Sequence, residues 1–138
     1  MKDDVSALKI ESLRRCVKRL EEKCPGSAEA LISDYDLQDI ISVNLERAVQ
    51  ISVDIGSRLL VRLDEKPPET MGEIFPLLSE KGILKKDLAK RLAKAVGFRN
   101  ISVHEYQKID WNIVFSIIRN NLKDFKNFAA AVSKNNAI

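Results

Sequence analysis

The sequence predicts an all-α protein, an antiparallel bundle of four main helices plus one short helix. Three observations predict it. Apolar residues recur at steps of three and four along almost the whole chain, the period of helices with one buried face. No segment shows the apolar/polar alternation of a half-buried strand. Glycine and proline number 5 and 4 in 138 residues, so the connections are short. With no internal repeat or low-complexity block, residues 1–138 read as one domain.

Each element has its own justification. Val5, Leu8, Leu13, Cys16, Val17, Leu20 and Cys24 form a first stripe, which Pro25-Gly26 stops. Ser33-Asp34, both good N-caps, opens a longer second helix. Its inward side is Leu37, Ile40, Ile41, Leu45, Ala48, Ile51, Ile55, Leu59 and Leu63, and Pro67-Pro68 ends the region. Thr70-Met71-Gly72-Glu73 has capping-box spacing and opens a short third helix with Ile74, Leu77 and Leu78 inward. Gly82 suits its C-cap. A fourth helix starts near Lys85 and turns Leu88, Leu92, Ala95 and Val96 inward. Asp110 caps the fifth, whose stripe of Ile113, Val114, Ile117, Ile118, Leu122, Phe125, Phe128 and Val132 is the cleanest in the chain. Ser133 to Ile138 reads as a frayed end.

Composition narrows the function. An apolar content of 45% supplies a core, while 31% charged residues and no apolar run near 18 residues exclude a transmembrane span. Met1-Lys2-Asp3-Asp4-Val5 lacks a secretory signal's apolar stretch, so a cytoplasmic protein is expected, with no membrane partner. Cys16 and Cys24 lie eight residues apart on one apparent helix. That is about 12 Å of rise, too far for a disulfide. Two such cysteines and a single histidine make a poor zinc set, so no metal or cofactor is expected. Residues 1–78 hold 11 Lys/Arg against 15 Asp/Glu, and residues 79–138 hold 12 against 5. The basic second half favours an anionic partner.

Two polar rows need explaining. Arg47, Gln50, Asp54 and Arg58 share one side of the second helix. They read either as a solvated, ion-paired face or as support, in which Arg47 or Asp54 orients a catalytic group or closes a subunit interface. Lys86, Lys90 and Lys94 repeat at i, i+4 and i+8, flanked by Lys85 and Arg91. They read either as a solvated face or as a track guiding a polyanion towards Arg99.

Chemistry concentrates in Arg99-Asn100-Ile101-Ser102-Val103-His104-Glu105-Tyr106, which holds the only histidine. Histidine moves protons near neutral pH, and arginine offers a phosphate several fixed donors. On a continuous helix Arg99 and His104 are about 7.5 Å apart in rise and about 140° apart in azimuth, so they flank one groove. His104 to Tyr106 turns through about 200°, so the tyrosine points away unless the helix ends there. The spacing alone leaves His104 open as structural or catalytic.

Arg99-x4-His104-x-Tyr106 resembles the R-x4-H-x-Y signature of the HepT toxins, the DUF86 branch of the HEPN ribonucleases. The flanks Gly97-Phe98-Arg99-Asn100, His104-Glu105-Tyr106 and Ile109-Asp110 carry the strongest likeness. Leu45 to Gly56, Phe75-Pro76-Leu77-Leu78 and Gly82-Ile83 extend it over nearly the whole chain. The resemblance implies a HEPN-like bundle and a metal-independent endoribonuclease, the toxin of a type VII toxin–antitoxin system. It implies a homodimer whose two motifs face one cleft, and a MntA-type nucleotidyltransferase antitoxin that AMPylates the motif tyrosine, here Tyr106. Arg99 and His104 then become catalytic and Tyr106 the modified or substrate-binding residue. Asn100, Arg47 and Asp54 are supporting candidates, and Lys86, Lys90 and Lys94 a candidate RNA track. The alternative is a non-catalytic HEPN module that binds a nucleotide or a protein.

Overall fold

α1 (Asp4–Lys23) and α3 (Tyr35–Arg62) lie against each other and form the spine of the molecule. The computed structural model describes residues 4–66 and 68–135. α2 (Ala28–Ile32), α4 (Ile74–Glu80), α5 (Lys86–His104), α6 (Trp111–Asn120) and α7 (Lys123–Ser133) complete it. α5 packs on α3 and α4, α7 closes over α1 and α5, and α2 meets α6. The described residues contain no strand, as the apolar period requires. None of their helices is long and apolar enough to cross a membrane.

The core is continuous across these helices. Leu13, Val17 and Leu20 of α1, Ile41, Leu45, Ile55 and Leu59 of α3, Leu92 of α5 and Phe128 of α7 are all buried in it. Phe75 and Phe128 meet edge to face with centroids 5.8 Å apart, a favourable aromatic geometry. Gly56 lets α4 approach α3, since a Cβ there would lie 2.5 Å from Ile74 Cγ2. Gly82 ends α4 in the left-handed region, φ 78°, and the amide of Ile83 donates to the Leu78 carbonyl at 3.0 Å.

The expected elements change in four places. The short helix α2 fills what reads as a connection; the Ser27 hydroxyl caps it by accepting from the Ala30 amide at 3.2 Å. Ser33 therefore ends α2, and Asp34 alone caps α3, accepting from the Leu37 amide at 3.0 Å. The Thr70 box forms no side-chain cap; Met71–Glu73 is a 3₁₀ turn that leads into α4. The fifth helix is two. Asn121 closes α6 by donating to the Ile117 carbonyl at 2.8 Å, and α7 restarts at Lys123. Apolar spacing cannot reveal this break, because both halves bury the same stripe; the poor helix formers Asn120-Asn121 mark it.

Some stripe positions move as well. Val5 and Leu8 are exposed, and Ser6 and Ile10 hold the inward places on α1. Ile113 is exposed on α6. Cys24 lies just beyond α1, and both cysteines are free thiols. Of the residues read as helix-ending or frayed, Pro67 and residues 136–138 lie outside the described residues.

Candidate active site

The last two turns of α5 and the turn after it carry the motif. Arg99 and His104 are both helical, and the helix stops at His104, where the Glu105 amide donates to the Ile101 carbonyl at 2.7 Å. Glu105 leaves helical geometry at φ −141° and ψ 56°, and a 3₁₀ turn, Tyr106–Lys108, follows. This stop answers the azimuth problem, because Tyr106 belongs to a turn that folds back. Ile109 is buried behind that turn, and Asp110 starts α6 by accepting from the Asn112 amide at 3.0 Å.

α3 holds the turn from the other side. The Tyr106 hydroxyl donates to Asp39 Oδ1 at 3.0 Å, and the buried Ser102 hydroxyl donates to Glu46 Oε1. The Tyr106 ring stands edge-on to Trp111 with centroids 5.9 Å apart. Partial burial pushes the Tyr106 phenol above its ordinary range, and the Asp39 hydrogen bond adds to the shift, against a smaller pull from Ser42. Neutral phenol is thus the native form at physiological pH.

The catalytic candidates face solvent. His104 is exposed and Arg99 half-buried. Asn100 Oδ1 accepts from Arg99 Nη1 at 3.4 Å, which steadies the guanidinium. Apolar side chains stand beside them. Ile101 and Val103 of α5 and Ile113 of α6 are exposed. A groove of about 510 Å³ between α5 and α6 is walled by Phe98, Ile101, Ile109, Ile113 and Ile117.

The other candidates separate. Asp54 accepts from Gln50 at 2.9 Å and from Lys9 at 3.4 Å, so its partners are on α3 and α1 and not in the motif. Arg58 donates to Ser6 at 3.2 Å. Arg47 lines an open groove between α1 and α3. Lys86, Lys90 and Lys94 are exposed along α5, whereas the flanking Arg91 grips buried Asp124 at 3.0 and 3.1 Å and ties α5 to α7. Sequence reasoning passed over Asp39, Glu46 and Trp111. Asp39 and Glu46 stand seven residues apart, two turns along one face of α3, and that acidic pair was the available signal.

Among the described residues no group of three or more His, Cys, Asp or Glu side chains is placed to hold a metal ion. The arrangement offers one proton carrier, one phosphate-binding guanidinium and one phenol, on a solvent-facing rim.

Known proteins resemble this chain in sequence and fold. The chain is 31% identical over 126 residues to the mRNA nuclease HepT of Shewanella oneidensis, covering 91% of this chain and 94% of that protein. It is 32% identical over 117 residues to the tRNA nuclease HepT of Aphanizomenon flos-aquae, covering 85% of this chain and 80% of that one. The fold superposes on the tri-AMPylated Shewanella oneidensis HEPN toxin, solved in complex with an MNT antitoxin, with a TM-score of 0.90 and 29% identity. That match covers 97% of this chain and 100% of that one. Residues 13–132 match the family described as Ribonuclease HepT-like, and the chain belongs to that family.

Proposed function

We propose that this chain is the toxin of a type VII toxin–antitoxin pair, a metal-independent endoribonuclease silenced when a MntA-type nucleotidyltransferase AMPylates Tyr106. One observation carries the reading: Arg99, His104 and Tyr106 share one helix end and its following turn, on the fold of a HEPN toxin that is itself AMPylated.

Side-chain chemistry supplies the mechanism. The neutral His104 imidazole takes the proton of a ribose 2′-hydroxyl. The 2′-oxygen attacks the adjacent phosphorus, and the 5′-oxygen leaves after protonation by an imidazolium. Arg99 stabilises the charge gathered on the phosphorane oxygens. Each chain has a single histidine, so acid and base are two copies of His104 facing each other across a homodimer cleft. The exposed Ile101, Val103 and Ile113 beside the motif support such a dimer, because a two-fold contact buries them together. An adenylate on Tyr106 adds negative charge and bulk where substrate phosphate must sit.

The test is RNA cleavage in excess EDTA beside a His104→Ala control. The expected result is cleavage that persists in EDTA and disappears in the variant. Cleavage that EDTA abolishes, or that His104→Ala retains, overturns the assignment. Light scattering on the same protein should report a dimer at micromolar concentration.

A further inference from the structure

α1 and α3 enclose an open groove of about 750 Å³ that the mechanism above does not use. Its polar wall is Ser12, Arg15 and Arg19 from α1 and Asp39, Asn44 and Arg47 from α3. Arg15 and Arg19 are one helical turn apart, about 6 Å along α1. Asp39 and Arg47 are eight residues apart, about 12 Å along α3. The Cys16 thiol marks how close the two helices bring their charges: burial raises it, while the Arg47 and Arg15 guanidiniums both act to lower it.

The three arginines share one condition. Four other cations are paired with a residue of a neighbouring segment: Arg91 with Asp124, Lys126 with Glu21, Lys81 with Glu65 and Lys9 with Asp54. Among the described residues Arg15, Arg19 and Arg47 have neither an ion-pair nor a hydrogen-bond partner. Three converging guanidiniums repel one another, and each keeps its planar fork of donors free for an anion. The groove's acidic residue, Asp39, stands at the end where it accepts the Tyr106 hydroxyl, two residues beyond His104. One end of the groove is therefore tied to the candidate active site through Asp39, and its arginines lie along the rest.

We propose that the Arg15–Arg19–Arg47 groove is a subsite for the RNA backbone, holding phosphates outside the cleaved linkage and leading the strand to His104. This rests on the ribonuclease reading above. Bidentate arginine contacts suit successive phosphates, and Ser12 adds a neutral hydrogen-bonding group to the same wall. The site holds backbone rather than bases, so it adds affinity and register without sequence choice.

The test is fluorescence anisotropy with a labelled, fully 2′-O-methylated single-stranded oligoribonucleotide, which binds but offers no 2′-hydroxyl. Affinity is read from about 50 to about 200 mM salt, the range in which phosphate contacts separate by slope. The triple variant Arg15→Gln, Arg19→Gln, Arg47→Gln should bind about tenfold or more weakly. Its slope of log affinity against log salt should fall by about 2, at about 0.7 for each lost contact. A charge-matched triple at the exposed Lys18, Lys66 and Lys134, each changed to Gln, should keep most of the slope. Each single arginine variant should lose about 0.7, which keeps the test readable if the triple fails to fold. Equal losses in the two triples overturn the subsite, as does an unchanged slope in every arginine variant. If wild type still cleaves the unmethylated oligonucleotide in that case, the ribonuclease reading stands without the groove. If wild type neither cleaves nor binds RNA, both are overturned.

Discussion

The Tyr106 hydroxyl donates to Asp39 Oδ1 at 3.0 Å and so pins the turn after α5 to the first half of α3. The two residues are 67 positions apart in sequence, and the bond fixes where the phenol points. It joins a residue proposed for modification to an acidic neighbour that apolar spacing gives no reason to notice.

This pair sets the titration of Tyr106. The native phenol lies above the ordinary value of 10.0, raised first by burial and then by Asp39. The native state thus holds the proton more tightly than the unfolded chain. The associated stability is complete below the ordinary value and is lost as pH rises through the native one. With Tyr35 changed to Phe, Tyr106 is the only tyrosine, and ultraviolet difference titration reads it directly. Its midpoint should lie above the ordinary value, and Asp39→Asn should lower it. An unchanged midpoint would remove Asp39 from the account.

Arg99→Ala and His104→Ala should each reduce ribonuclease activity by about two orders of magnitude or more, the scale of a lost charge stabiliser or general acid–base. Both positions are at least partly exposed, so the melting temperature should change little. Steady-state cleavage and thermal unfolding on the same preparations separate the two effects. Full activity in either variant sinks its assigned role.

RNA should be cut and DNA spared, because the proposed nucleophile is the substrate's own 2′-hydroxyl. The upstream product should end in a 2′,3′-cyclic phosphate, which mass spectrometry resolves from a linear phosphate. An all-deoxy oligonucleotide cut at a comparable rate is incompatible with this route.

Gly56→Ala should destabilise the fold by about 1–3 kcal/mol, the usual range for overpacking a closed contact. The added methyl would meet Ile74 Cγ2 at 2.5 Å and Leu78 Cδ1 at 3.2 Å, pushing α4 off α3. Denaturant unfolding measures this. An unchanged midpoint would mean that α4 shifts freely and that the close approach carries no energy.

Periodicity made the helices legible wherever one face is buried and the end signal is local. Asp34, Asp110 and Gly82 act where their residue types say they should. It failed where the deciding contact is tertiary. α2 has five residues and gains its place by packing on α6, so no stripe announces it. The break at Asn121 leaves the apolar spacing intact. For the candidate site, Arg99, His104 and Tyr106 can be nominated from the sequence because residue type and spacing point to their chemistry. Asp39 and Arg15 cannot, because the role proposed for each depends on a residue of another element.

Tyr106 should be the point of control. Tyr106 is 41% exposed, so an adenylyl-transferring partner can reach it while its ring stays against Trp111. To attack the α-phosphorus of a nucleoside triphosphate the phenol must shed its proton, and Asp39 is in place to take it as pyrophosphate leaves. The new phosphodiester breaks the Asp39 bond and carries negative charge towards His104, so cleavage stops while the bundle stays folded. Co-expression with the cognate nucleotidyltransferase followed by intact-mass analysis tests this. Each adenylate should add one AMP unit, Tyr106→Phe should abolish the increase, and Asp39→Asn should slow it by about tenfold or more, as loss of a proton acceptor does. A Tyr106→Phe protein that is still modified and still silenced would place the control elsewhere. An Asp39→Asn protein modified at the wild-type rate would leave Asp39 with a positioning role alone.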